Sequence, residues 1–261
     1  VKTREFLFPV RLPVPPESAP TRPELSVVVP IHDERESLPQ LLEELRRALP
    51  LTRLRWEIIL VDDGSLDGSA EWTAAEASKS HDVIAVLLER NAGQSAALVA
   101  GIGCAKGHTI VTLDGDLQND PADIPRLLER MASERADVVS GIRATRQDGW
   151  RRRVSSRIAN SVRRRFVRDT ITDIGCSLKA YRAEAIEGLP AFQGVHRFLP
   201  ALCQVRGARV VELVVGHRPR LHGRSKYGVS NRLARGLRDL VGVMWLRSRL
   251  LKYRIREVVH G

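Results

Sequence analysis

Residues 25–65 read LSVVVPIHDERESLPQLLEELRRALPLTRLRWEIILVDDGS, and this stretch decides the fold class. Residues 25–30 are a short apolar run closed by Pro30, the pattern of a strand buried on both faces. Over residues 36–49 the leucines fall at 38, 41, 42, 45 and 49, the spacing of a helix with one apolar stripe. Residues 57–61, EIILV, form a second buried strand that runs straight into Asp62-Asp63-Gly64-Ser65. Strand, helix and strand in immediate succession make a βαβ unit, which requires a parallel pair.

The alternation continues outward. The spacing predicts a helix over about 67–79, a strand at 83–88 and a helix over 94–105. A strand at 109–113 then ends in Asp114-Gly115-Asp116, followed by a helix from Pro121 to about 132 and a strand at 137–140. Such a chain is an α/β protein with a mostly parallel sheet flanked by helices. The second half is less regular. Residues 152–167 read as a basic amphipathic helix, 177–181 as a strand, 197–205 as a helix and 210–215 as a strand. A basic loop rich in Gly, His and Arg covers 216–228, and 232–253 reads as a helix. Its Leu233, Leu237, Leu240, Val241, Met244 and Trp245 fall on one side. Residues 1–24 carry six of the 14 prolines and form an extended arm. The expected division is therefore an arm (1–24), a catalytic body (25–230) and a basic amphipathic C-terminal helix (231–261). The body splits into halves at 142/143.

Composition narrows the function. The chain has 261 residues, 43% of them hydrophobic and 28% charged, so it can bury a sizeable core. Its longest apolar run, 240–246, is far below the roughly 20 residues that a spanning helix needs. Cys104, Cys176 and Cys203 are isolated, which speaks against a disulfide scaffold or a cysteine zinc site. No signal-peptide pattern is visible, and Val1 in place of Met points to a trimmed chain. The net charge of +11 is concentrated. Residues 143–168 hold ten arginines against Asp148, and residues 217–261 hold twelve Lys or Arg against Asp239 and Glu257. The rest is net acidic, so two basic segments on an acidic body call for an anionic partner.

In an open parallel sheet, ligands bind beyond the carboxyl ends of the strands. There the sequence places Pro30-Ile31-His32-Asp33-Glu34, Asp62-Asp63 and Asp114-Gly115-Asp116-Leu117-Gln118. So many carboxylates on one rim repel one another unless a cation or hydrogen-bond donors compensate them. Two aspartates flanking a glycine suit a hard divalent cation, Mg²⁺ or Mn²⁺, with phosphate oxygens completing its shell. Gly101–Ala105 imitates a dinucleotide loop but follows a helix pattern, and Cys104 with His108 lacks further ligands. Both read as packing.

The stretches VVVPIHDERESLPQLL, EIILVDDGSLDGS, RNAGQSAALVAGI and IVTLDGDLQNDPADIPRLL resemble the nucleotide-sugar half of a family 2 glycosyltransferase with the GT-A fold. Downstream, GIRATRQDGWRRRVSSRIAN, DIGCSLKAYRAEAI, HRFLPAL and HRPRLHGRSKYG resemble the polyprenyl-phosphate glycosyltransferases, a group that includes dolichyl- and undecaprenyl-phosphate sugar transferases. The likeness spans about 25–245. It implies that Pro30, His32, Glu34, Asp62, Asp63 and Asp114 bind the donor, with His32 and Asp33 departing from the aromatic residue and the Asn usual there. Asp114 and Asp116 become the catalytic metal-binding pair, with Gln118 as a further metal ligand. Arg143, Arg152, Ser156, Arg224 and Lys226 take positions that hold the lipid phosphate or the donor diphosphate.

The expected function is inverting transfer of a sugar from a nucleoside diphosphate, UDP rather than GDP, to a polyprenyl phosphate. The expected location is the cytoplasmic face of the cell membrane, either peripheral against anionic lipid or anchored by transmembrane helices outside the given sequence. A saccharide acceptor is the alternative among enzymes, and it would require a carboxylate base that the second half does not offer. A nucleic-acid partner is disfavoured by the acidic rim and by the few aromatics among the basic residues. The apolar side of the C-terminal helix serves membrane contact, packing on the body or a homo-oligomer.

Overall fold

In the computed structural model, the described residues are 22–144 and 170–219, with positions 241, 242, 244, 245 and 249. Seven strands form one sheet in the order β3-β2-β1-β4-β6-β5-β7. They are β1 (Leu25–Ile31), β2 (Trp56–Asp62), β3 (Val83–Leu87), β4 (Thr109–Thr112), β5 (Val138–Arg143), β6 (Lys179–Arg182) and β7 (Val210–Val215). Pairings β1–β2, β1–β4, β2–β3 and β5–β7 are parallel, as the alternating pattern requires. β6 is the exception, lying antiparallel between β4 and β5. The sheet is therefore mixed rather than wholly parallel.

Helices cover both faces: α1 (Leu38–Ala48), α2 (Ser69–Lys79), α3 (Gln94–Cys104), α4 (Ile124–Ser133), the short α5 (Ala183–Ile186) and α6 (Val195–Val205). The period-two alternation of the strands sorts the core into two layers. Leu25, Val27, Val29 and Ile31 of β1, with Ile58 and Leu60 of β2, pack on Leu41, Leu42 and Leu45 of α1 and Leu127 and Met131 of α4. Val28, Ile59 and Val61 face the other way, onto Ala97 and Leu98 of α3, in a layer that also holds Phe198 and Leu202 of α6. The leucine stripe read from residues 36–49 is thus the buried face of α1, with Pro39 in its first turn.

Gly101 explains the false dinucleotide signal. It lies in the last turns of α3, and a Cβ there would come within 2.4 Å of Val28 Cγ1, so the helix needs glycine to reach the sheet. Met244 packs against the α6 layer, while Val241 and Trp245 are 59% and 63% exposed. Among the described residues no helix is long and apolar enough to cross a membrane. The N-terminal arm (1–21) and the 152–167 helix expected from sequence lie outside the described residues, as does most of the 232–253 helix.

Candidate active site

The strand ends bring the acidic clusters to one edge of the sheet, and there each aspartate has its own surroundings. Asp62 is 1% exposed. One carboxylate oxygen accepts from the Ser65 N–H at 3.0 Å, and the other, Oδ1, is buried with no hydrogen-bond partner. Asp33, at φ 50°, donates its N–H to Ser65 Oγ and accepts from the Leu66 N–H at 2.8 Å. Asp63 is 2% exposed and accepts from the backbone N–H groups of Ala92 and Gly93 at 2.7 and 2.9 Å. Backbone donors therefore compensate Asp33 and Asp63, and one oxygen of Asp62, with no cation needed. Gly64 makes this packing possible: at φ +65° it presses on the neighbouring loop, and a Cβ would lie 2.5 Å from the Asn91 nitrogen.

Asn91 donates its side-chain amide to His32 Nε2 at 2.9 Å. His32 thus sits over the loop that Asp63 holds. The Glu34 backbone N–H donates to Ser69 Oγ, and its carbonyl accepts from Ser37 and Leu38 as the chain turns into α1. Pro30 lines the cavity below.

Asp114 and Asp116 stand just beyond β4. Asp114 Oδ1 accepts from Gln94 Nε2 at 2.7 Å, and Asp116 Oδ1 from the Gln118 N–H at 3.2 Å. Burial and the nearby Asp116 charge push the Asp114 carboxyl up to about 6. Among the described residues no group of three or more His, Cys, Asp or Glu surrounds a single point. The pair can offer a cation hard oxygen ligands and leave positions for diphosphate oxygens, and a divalent charge would relieve the repulsion that raises Asp114. The donor set fits Mg²⁺ or Mn²⁺. The Gln118 carbonyl accepts from the Arg218 N–H at 2.8 Å.

A cavity of about 740 Å³ opens beside Asp114. Its wall includes Arg143, which closes β5, and Arg143 forks onto the buried Asp173 through two bonds of 2.8 Å. Arg152, Ser156, Arg224 and Lys226 lie outside the described residues.

Several wall residues were not singled out from sequence. Gln94 and Ser95 open α3, Lys179 begins β6, and Gln193, His196 and Arg197 surround the start of α6. Ser95 Oγ is 2.7 Å from His196 Nδ1 and accepts from the Gly194 N–H. Burial, with Arg197 and Lys179 adding to it, pushes His196 down to about 3, so its ring is neutral. Lys179 interrupts an otherwise apolar run, Leu178–Ala180–Tyr181, and that interruption was the available sequence signal.

The chain also straps itself beneath the Asp114–Asp116 turn. His217 bridges Asn119, and the Gly216 N–H donates to Asp123. Arg218 reaches Glu44 of α1 at 2.8 Å and Asp120 at 2.6 Å.

Residues 26–189 match the model of glycosyl transferase family 2. An undecaprenyl-phosphate 4-deoxy-4-formamido-L-arabinose transferase of Aeromonas hydrophila is 41% identical over 91% of this chain and 72% of its own length. Another so named, of Serratia proteamaculans, is 45% identical over 78% and 63%. A dodecaprenyl-phosphate galacturonate synthase of Rhizobium johnstonii is 40% identical over 89% and 69%. The chain thus spans 63–72% of the length of these relatives. In fold it is similar to glucosyl-3-phosphoglycerate synthase of Mycobacterium tuberculosis, crystallised with Mn²⁺ and UDP (TM-score 0.63, 18% identity, 88% of this chain, 81% of that one). A Pyrobaculum calidifontis mannosyltransferase solved with GDP-Man and Mn²⁺ gives the same TM-score at 20% identity, over 94% and 70%. The acidic turn beyond β4, the basic cavity beside it and these likenesses converge: the chain belongs to glycosyl transferase family 2, in the group of the polyprenyl-phosphate glycosyltransferases.

Proposed function

We propose that this chain transfers a sugar from a nucleoside diphosphate, UDP in preference to GDP, to a polyprenyl phosphate, with inversion at the anomeric carbon. The observation that carries the reading is the juxtaposition in one cavity of Asp114, at the acidic turn, with the cationic wall of Arg143, Lys179 and Arg197. An anionic donor and an anionic acceptor both need such a wall.

Asp62 supports the donor assignment. Its buried, unpartnered Oδ1 is an acceptor awaiting a donor, which a base N–H supplies. His32 and Asn91 would border the ribose, with Asp63 acting through the loop that it holds and Glu34 through the turn into α1. Asp114 and Asp116, with Gln118, would hold a divalent cation, whose chemistry is to neutralise the charge that develops on the departing diphosphate. A phosphate acceptor is already an anionic nucleophile near neutral pH, so it needs no strong general base. The chain's remaining task is to hold that phosphate in line with the anomeric carbon. Arg143, steadied by Asp173, is placed for it, and Arg152, Ser156, Arg224 and Lys226 would share it.

The acceptor is a lipid, so the rim must work at the headgroup level of the cytoplasmic leaflet. The basic segment 217–261 and the exposed Val241 and Trp245 would supply the contact.

The test is a panel of nucleotide sugars incubated with polyprenyl phosphate and Mn²⁺ and analysed by mass spectrometry. One sugar should appear on the lipid phosphate. Transfer to saccharides alone, with no glycolipid from any donor, would overturn the acceptor.

A further inference from the structure

Lys179 is a cation where the fold has least reason for one. Its strand, β6, lies inside the sheet, and its Cα pairs with Thr112 on one side and Ser140 on the other. Leu178 and Ala180 alternate onto the α1 layer of the core, which sends Lys179 and Tyr181 to the opposite face, toward α6. Lys179 is 2% exposed, yet it forms part of the cavity wall. Thr112, its partner across the strand, is two residues from Asp114.

The ammonium is poorly compensated. Nζ donates to the His196 carbonyl at 3.2 Å and, weakly, to that of Ile174 at 3.5 Å. Three N–H groups are available, so one remains for the cavity. Among the described residues no carboxylate comes within ion-pair distance of Nζ. The two nearest in charge, Asp114 and Asp173, are engaged by Gln94 and by the Arg143 fork. His196 is neutral and offers no countercharge. A buried ammonium without a carboxylate is costly to keep, and a methionine of similar volume would fill the same space at lower cost. The cost is offset once an anion enters the cavity.

The geometry points to Lys179 as an anion-binding residue whose ammonium receives a phosphate of the reactants, either of the nucleoside diphosphate or of the lipid acceptor. A buried ammonium is matched by an anionic phosphate, whereas neutral sugar hydroxyls offer it no countercharge. This inference rests on the transfer reaction proposed above. Lys179 lines the same cavity as Asp114 and Arg143, so it would hold the anion next to the metal-binding turn.

The decisive experiment uses the full chain with Lys179→Met and, in parallel, Lys179→Gln, which keeps a hydrogen-bond donor without charge. Calorimetry with UDP plus Mn²⁺ and, separately, with farnesyl phosphate measures the two phosphate sources directly. Thermal unfolding is recorded for each variant. Both variants should lose at least tenfold in affinity for one probe, while the Tm of the methionine variant stays level or rises. Loss on UDP assigns the donor phosphate, and loss on farnesyl phosphate assigns the acceptor. Wild-type affinity for both probes in either variant would overturn the proposal. So would a lowered Tm with both affinities reduced in equal measure, which marks a structural lysine. A wild-type chain that binds UDP but makes no glycolipid removes the acceptor reading and leaves the UDP measurement valid.

Discussion

At the proposed metal site, Asp114 would couple protonation to both stability and metal binding. Its carboxyl, raised from 3.8 to about 6, keeps its proton in the folded chain over a range where the unfolded chain has released it. Without metal, stability therefore falls as pH rises from about 4 to 6, because the folded state binds the extra proton. A cation held by Asp114 would reverse the trend, since a ligand carboxylate must be deprotonated. Mn²⁺ affinity should fall about tenfold per pH unit below about 6 and level off above it. Thermal unfolding in EDTA and Mn²⁺ titration across this range check both signs, and Asp114→Asn should flatten both profiles. Asp116→Ala should lower turnover by about 10² or more, the usual size of a lost charge-stabilising group. EDTA should do the same to the unaltered chain, and full activity in excess EDTA would remove the acidic turn from the mechanism. The Arg143–Asp173 fork changes how an arginine deletion must be read. Asp173 is 3% exposed, so Arg143→Ala removes both guanidinium bonds from a buried carboxylate, and breaking such a pair costs about 3–5 kcal/mol. Arg143→Ala with Asp173→Asn avoids that cost. The double variant should fold, bind UDP normally and transfer poorly to lipid phosphate, as calorimetry beside transfer rates would reveal.

At the scale of elements, β6 and the strap beneath the acidic turn do the positioning. β6 inserts antiparallel between β4 and β5, and so places the start of the strand, with Lys179, at the end of the sheet where the parallel strands finish. The strap ties residues 216–218 to the 118–123 segment and to α1. Arg224 lies six residues beyond Arg218, within roughly 20 Å of extended chain. Arg218 therefore limits where the basic loop can reach. Arg218 is partly exposed, so Arg218→Ala should cost only about 1 kcal/mol of stability. The larger effect expected is a rise of several-fold in acceptor KM with UDP affinity unchanged. Steady-state kinetics with both substrates varied separates the two, and an equal loss for donor and acceptor would make the strap a general support.

For the whole molecule, the segregated charge supports the proposed anionic-membrane partner and sets the salt dependence expected of it. Twelve basic side chains in 217–261 oppose two acids, and each basic group near an anionic bilayer contributes about 1 kcal/mol, screened over about 8 Å at physiological salt. Val241 and Trp245, four residues apart, are both exposed, while Met244 packs against the core. Flotation with anionic vesicles should show binding at low salt that falls steeply as salt is added, and weak binding to neutral vesicles. No binding to anionic vesicles at low salt would assign membrane attachment to another part of the protein or to a partner.

The order of strands and helices through β4, the leucine face of α1 and the Asp114–Asp116 turn were all legible in the sequence. Each is a local periodicity or a short polar cluster at a strand end, and nothing distant is needed to specify it. The direction of β6 was not legible. Four residues, Lys-Ala-Tyr-Arg, carry no directional pattern, and the connection that brings them between β4 and β5 decides it. The tasks of the aspartates were not legible either: Asp62, Asp63 and Asp114 look alike in sequence. One keeps a bare buried oxygen, one is consumed by loop amides and one is pushed toward neutrality by burial and by its neighbour. The Arg143–Asp173 pair joins residues 30 positions apart, and the surroundings of Lys179 come from the 174 loop and the first turn of α6. Charge, burial and hydrogen-bond supply at a site are properties of what folds against it, so only the tertiary structure decides them.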